Sequence, residues 1–431
     1  MRVRAGSSLL ALALLSGCAF SLVQDGRIRE EPFAEIVTRT AAARGDPRPA
    51  QVDARVVEPD EVPALLRASI GHAWSPEELA RYQERLVSIG LWPPERDLLE
   101  ETLLVAREEI AGFYLPETRV LYAVEEVRMP FSVRFLSLLL RRDLLREAVL
   151  AHELVHLLQH RAVPTLFEAT RWTEQDDATS AVQAAIEGDA THYGLLAMLP
   201  AGSEGLLPAP AEMESATQGE LDEKADGALA SAPGLLRLTL AFPYVRGYPL
   251  SLSEGTALLD DPPASTEQVL HAERRNADFQ VADMARLEQT LPAGCEGLGQ
   301  NTLGELGSWV LLSDLGTEPT AALAASDGWD GDRYLAARCG EQRAFFWWTA
   351  WDSETDAGEF AEAYAAIADA VAARAGLAAA PSVGRDGVHV IISSEPLAGL
   401  LPLLDERARW ARIQTLEELR THFALESEAP D

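Results

Sequence analysis

Leu150-Ala151-His152-Glu153-Leu154-Val155-His156-Leu157-Leu158-Gln159 is the one stretch of this chain in which residue type and spacing together dictate a chemistry. Positions four apart on an α-helix lie one above the other, so His152 and His156 can both direct a ring nitrogen at one ion. Glu153 falls beside that face, where it can reach a water at the ion without being a ligand itself, the position of a general base. The metal expected of this set is Zn2+. Leu144, Leu145, Ala148, Val149, Val155 and Leu158 keep an apolar stripe beside the histidines, Asp143 is placed as an N-cap, and nothing breaks the run before Pro164, so a helix is expected. The tetrad would also suit an amphipathic core helix whose histidines happen to be so spaced. A third ligand decides.

A catalytic zinc takes three protein ligands and keeps a fourth position open. Gln159 and Ala162 stand where the HExxHxxGxxH arrangement needs its glycine and third histidine, so that arrangement is excluded. A carboxylate from a second helix remains, and residues 177–191 supply one. Glu187 is the expected ligand, with Ala184, Gly188 and Ala190 small enough to let its helix approach the first closely. Asp176, Asp177 and Asp189 are competing carboxylates, and an aspartate-ligated site would use one of them.

Four segments recur together here: Ala151–Gln159, Glu187–Ala190, Phe242-Pro243-Tyr244-Val245-Arg246-Gly247 and Ser265-Thr266-Glu267-Gln268-Val269-Leu270. In this combination the chain resembles, over roughly residues 75–350, bacterial secreted or lipid-anchored HExxH proteins of the gluzincin-like metallopeptidase kind. The resemblance implies a helix-rich α+β, zincin-like fold, a zinc site and a peptide or protein substrate. Within its segments Tyr244 and His271 are candidates for the donor that stabilises a developing oxyanion.

The N-terminal stretch adds an address. Met1-Arg2-Val3-Arg4 and the short apolar run from Ser8 to Leu15 read as a signal peptide over residues 1–17, and Leu15-Ser16-Gly17-Cys18 as a lipobox with lipid on Cys18. Ala19 carries no aspartate-type inner-membrane retention signal, so the expected place in a two-membrane cell is the outer membrane of the envelope. Residues 18–50 read as a tether, 51–290 as the zincin-like catalytic domain and 291–431 as a C-terminal α+β subdomain. A formal charge of −32 excludes nucleic acid as a partner. Cys295 and Cys339, the cysteines left after Cys18, are expected to pair in an oxidising compartment.

Ser75-Pro76-Glu77-Glu78 is a capping box that starts a helix to about Ile89, and a second helix is expected from about Glu95 to Glu109. Residues 111–124 read as a hairpin just upstream of the HExxH helix, where an edge strand could pair with an extended peptide. Residues 200–233, without sustained periodicity, read as a mobile acidic loop or lid. Leu235 to Phe242 resumes an apolar helical pattern. Phe345-Phe346-Trp347-Trp348-Thr349-Ala350-Trp351 reads as a strand whose aromatics belong to the core. The sequence thus points to a lipid-anchored zinc metallohydrolase, most directly a peptidase; the other reading is a zinc-binding envelope-assembly or scaffold lipoprotein without proteolysis.

Overall fold

The computed structural model describes residues 21–425 apart from 50, 126–136, 138, 139 and 224–226, so the expected signal peptide and Cys18 lie outside the described residues. The chain is α+β and helix-rich. No described helix is long and apolar enough to cross a membrane. Two compact units are each assembled from separated stretches: Met1–Ile70, Leu103–Pro164 and Asp189–Met213 form the first, and Gly71–Thr102, Thr165–Gly188 and Glu214–Asp431 the second. This differs from the linear division at residue 290. The reason is visible in the Pro76–Ser88 helix, which opens with the expected Ser75/Glu78 capping box. Its Arg85 donates to the Leu298 carbonyl at 3.3 Å, and its Glu84 pairs with Arg338 and Arg343, so an early helix is tied to late strands.

In the first unit a three-stranded sheet runs in the order Asp53–Val57, Val120–Val124, Gly112–Leu115. The last two strands are the expected antiparallel hairpin, and Asp53–Val57 joins parallel to Val120–Val124. Side chains alternate across the pleat. Phe113, Leu115, Tyr122 and Val124 pack with Val57 and Val62 on one face. Tyr114 and Leu121 pack on the other against Leu154, Leu157 and Leu158 of the Leu144–Ala162 helix. The helix forms as expected, but its sheet-facing stripe is Leu154, Leu157 and Leu158, while Val155 packs with Ala190 and Tyr193. Asp143 precedes this helix without capping it: its Oδ2 accepts the Leu22 amide at 3.0 Å.

That contact corrects the tether. Residues 21–49 are folded, with a helix over Glu30–Arg44 that buries Ile36, Val37, Thr40, Ala41 and Arg44, and with Leu22 buried beside Ile36, Leu150 and Ala151. Burial of each such aliphatic side chain contributes about 1.5–3 kcal/mol to docking. The Arg44-Gly45-Asp46-Pro47 run that reads as a linker is a helix stop, with Gly45 in the left-handed region at φ 76° and bonded back to Ala41 and Ala42.

The second unit is built on a seven-stranded sheet in the order Ser382–Asp386, His389–Ser393, Gln342–Trp351, Trp329–Cys339, Phe279–Asp283, Arg409–Ile413, with Cys295–Asn301 also pairing with Trp329–Cys339. Its centre is the long hairpin Trp329–Cys339/Gln342–Trp351. The aromatics of Gln342–Trp351 are core, as expected: Phe345, Phe346, Trp347 and Trp351 are buried, and Trp347 meets Phe360 edge-on from the Glu354–Ala375 helix. The indole N–H groups of Trp329 and Trp347 donate to the two oxygens of buried Asp332 at 3.0 and 2.9 Å. Cys295 and Cys339 stand opposite each other in the ladder and are joined by the expected disulfide.

Two segments differ from expectation. Residues 200–233 are not a loop throughout: they carry a short 3-10 turn over Glu204–Leu206 and helices over Pro210–Glu223 and Ala228–Ser231. The apolar pattern at Leu235 opens a helix that runs over Gly234–Glu254, straight through Pro243 and Pro249. Proline in a helix interior costs about 3 kcal/mol, so sequence reading stops there; tertiary packing at Phe242, Gly247, Tyr248 and Leu250, all buried, outweighs it.

Candidate metal centre

His152, His156 and Glu187 present ligand atoms that all lie within 4.8 Å of one another. The two histidines come from consecutive turns of the Leu144–Ala162 helix, and their Nε2 atoms are 3.1 Å apart. Two imidazole nitrogens sharing a tetrahedral zinc at about 2.0–2.1 Å would sit about 3.3 Å apart, so the pair has the spacing of a clamp.

Glu187 belongs to the helix over Asp176–Met198, and positions 187, 190 and 194 share one face of it. Ala190 packs with Val155 of the HExxH helix. At Gly194 the approach is closest, since a Cβ there would stand 3.2 Å from the His152 Cα. Ala190 behaves as expected; Ala184 and Gly188 do not. They lie on a different face, where they meet Gly247 of the Gly234–Glu254 helix so tightly that a Cβ on either glycine would clash with the facing backbone. The EGDA and FPYxxG segments are therefore one helix crossing, and the contact adjoins Glu187. Tyr244, exposed by 38 %, is one turn before Gly247 on that helix.

The competing carboxylates are engaged elsewhere. Asp176 accepts the Tyr82 hydroxyl at 2.9 Å, and burial pushes its carboxyl up to about 6. Asp177 accepts the Thr266 amide at 2.9 Å and the Thr266 hydroxyl; burial pushes it up to about 7. Asp189 is wholly buried and holds a relay. The His156 Nδ1 is 2.8 Å from Gln159 Oε1, the Gln159 amide donates to Asp189 Oδ2 at 2.8 Å, and Arg44 Nε donates to the same oxygen at 3.0 Å. Since Gln159 offers His156 an acceptor, Nδ1 carries the proton and Nε2 keeps its lone pair for a metal. Sequence reading weighs Asp189 only as a competing ligand and Gln159 only as excluding the third-histidine arrangement; their relay becomes legible only when Arg44 is seen to pack there.

Glu153, next to His152 in the chain, is 8 % exposed and does not belong to the ligand set. Edge strand Gly112–Leu115 begins on it: a Cβ on Gly112 would stand 2.5 Å from Val149 Cγ1 and 3.8 Å from Glu153 Cγ. A side chain there would clash with Val149 and with the Tyr122 carbonyl, so glycine lets the strand lie against this helix. Further along, the Tyr114 hydroxyl is 2.8 Å from His160 Nδ1 and is pushed up to about 12 by burial.

His271 is placed in a different group, with Nε2 2.8 Å from Glu305 Oε1. The rest of its segment is structural. Ser265 caps the Gln268 amide, Glu267 pairs with Arg274 at 3.0 Å, and the Gln268 side chain donates to the Ala277 and Gln414 carbonyls.

An expected outcome follows from the relay. Gln159→Leu, close in volume, removes the acceptor for the His156 Nδ1 proton and lowers zinc affinity by about 10–100-fold with the fold intact. Competition against a fluorescent chelator measures it; an affinity equal to wild type would make the relay irrelevant to the histidine.

Comparison with known proteins reaches one part of the chain. Residues 289–404 match the model of a domain of unknown function (DUF8575), a stretch that holds both disulfide cysteines, Glu305 and the long central hairpin. No curated protein and no solved structure matches the chain.

Proposed function

We propose that this protein is an exported, lipid-anchored zinc metallohydrolase that cleaves peptide bonds, with His152, His156 and Glu187 as ligands and Glu153 as general base. The observation that carries this reading is that one ligand atom each of His152, His156 and Glu187 lie within 4.8 Å of one another. The donor set, two imidazoles and one carboxylate, is that of a catalytic zinc site. When bound, zinc supplies a Lewis acid that polarises a carbonyl and lowers the pKa of water.

The chain's own groups account for the remaining roles. Glu153, within reach and outside the ligand set, accepts a proton from the attacking water and can pass it to the departing amine. Gln159 and Asp189 hold His156 in the tautomer that leaves Nε2 as acceptor. Strand Gly112–Leu115 has a neighbour on one side only among the described strands, so its other edge can take an extended peptide by strand addition next to Glu153. That edge favours a peptide over a compact substrate. Tyr244 is the proposed oxyanion donor, because its helix crosses the Glu187 helix at Gly247, one turn away. His271 is left out of the catalytic set, its Nε2 being taken by Glu305.

The test is metal removal. Protein solubilised from the membrane fraction, where a chain lipidated at Cys18 is recovered and a Cys18→Ser chain is not, is assayed on a diverse peptide library. Cleavage should vanish on chelation and return on adding zinc. Cleavage indifferent to chelation, or none from any library member by the zinc-loaded chain, contradicts the reading.

A further inference from the structure

A second convergence of ligand-type side chains lies wholly within the second unit, on three segments the hydrolytic set does not use. His271 caps the C-terminal end of the Thr266–Leu270 helix, Glu305 is in the first turn of Gly304–Asp314, and Asp327 ends the Pro319–Ser326 helix. His271 Nε2 is 2.8 Å from Glu305 Oε1 and 3.7 Å from Asp327 Oδ1. Taken together, the ligand atoms of the three lie within 4.8 Å of one another.

What singles the group out is Glu305. Its side chain is fully buried, and while Oε1 faces His271, Oε2 has no hydrogen-bond partner. A carboxylate oxygen shut away from water without a donor is costly, and it is relieved by a proton or by a cation. The surrounding charge favours the cation. Arg274 lies 3.0 Å from Glu267, 3.3 Å from Asp327 and 3.4 Å from Asp352, so one guanidinium answers three carboxylates before Glu305 is counted. Glu273 adds another, 3.9 Å from His271 Nδ1. Negative charge remains in excess even with His271 protonated.

We propose that His271, Glu305 and Asp327 form a second divalent-cation site, of the class that takes zinc or another first-row ion. One imidazole and two carboxylates without a thiolate is a donor set for such ions, and calcium, which prefers oxygen alone, is disfavoured. An ion here ties three segments of the second unit together. It joins Glu305 and Asp327, inside the stretch 289–404 matched as a domain, to His271, which precedes it. Its role is structural, and the site does not depend on the hydrolytic reading.

The experiment uses the full-length chain with zinc as the probe. In a His156→Ala background, which disables the first site, the protein should still retain about one zinc after gel filtration, since a three-ligand site is sufficient to hold it. Adding Glu305→Gln should abolish retention. Because Glu305 is buried and its variant can fail to fold, Asp327→Asn serves as the second arm. The Asp327 side chain is 54 % exposed, so that variant folds, and its zinc affinity in the same background should fall at least about tenfold by calorimetry. Zinc should also raise the melting temperature of His156→Ala and not that of His156→Ala/Glu305→Gln. A His156→Ala chain that takes up no zinc overturns the proposal and leaves Glu305 protonated instead. So does an affinity unchanged by Asp327→Asn. Retention that survives His156→Ala in full, with no loss from the wild-type content, would contradict the hydrolytic site and leave this one standing.

Discussion

Glu153→Gln leaves zinc content and thermal stability at wild-type levels while peptide hydrolysis falls by about 10²–10⁴-fold, the range for loss of a positioned general base. Three features set this expectation. Glu153 is outside the converging ligand set, so the exchange removes no metal contact. Glutamine matches glutamate in volume, so the exchange leaves the packing around position 153 unchanged. Most of the side chain is buried, so the carboxylate has little freedom to be replaced by a neighbour. The check pairs elemental analysis and a melting curve with hydrolysis of a defined peptide. A variant that loses zinc would make Glu153 a ligand; one that hydrolyses as fast as wild type would move the base elsewhere.

Glu187→Ala should empty the first site as completely as His152→Ala, with a loss of affinity beyond the roughly 10–100-fold of a change outside the ligand shell. The fold should survive, because the helix is anchored by residues on either side of Glu187. Ala190 and Gly194 hold it to the HExxH helix, Asp189 is fixed by Gln159 and Arg44, and Gly188 meets Gly247. Asp176→Asn and Asp177→Asn are the controls. Both should keep this zinc, since their partners are Tyr82 and Thr266. Zinc retained in Glu187→Ala and lost in either control would place the third ligand on an aspartate. Circular dichroism alongside separates loss of metal from loss of fold.

The HExxH helix, the capping box at Ser75, the hairpin at 112–124 and the aromatic strand at 342–351 were legible because each rests on a local pattern: a four-residue spacing, a cap three residues from its partner, a two-residue alternation. What escaped depended on long-range packing. Residues 44–49 have the composition of a linker, and only the burial of Ile36 and Val37 against the first unit reveals a docked helix. Pro243 and Pro249 are breakers by propensity, and only the crossing at Gly247 explains why the helix passes through them. Ala184 and Gly188 were rightly read as contact residues but assigned to the wrong neighbour, since small size predicts close approach and not its partner. The roles of Gln159 and Asp189 required Arg44, more than 100 residues upstream and buried at 8 % exposure.

The central claim is that one ion is held by His152, His156 and Glu187. Anomalous diffraction at the zinc edge, from crystals of the zinc-loaded full chain, tests it most directly. The account predicts a peak about 2.0–2.2 Å from both Nε2 atoms and from a Glu187 carboxylate oxygen, with Glu153 outside bonding distance. No peak at that point, or a peak there coordinated by Glu153 or by Asp176, Asp177 or Asp189 in place of Glu187, would contradict it.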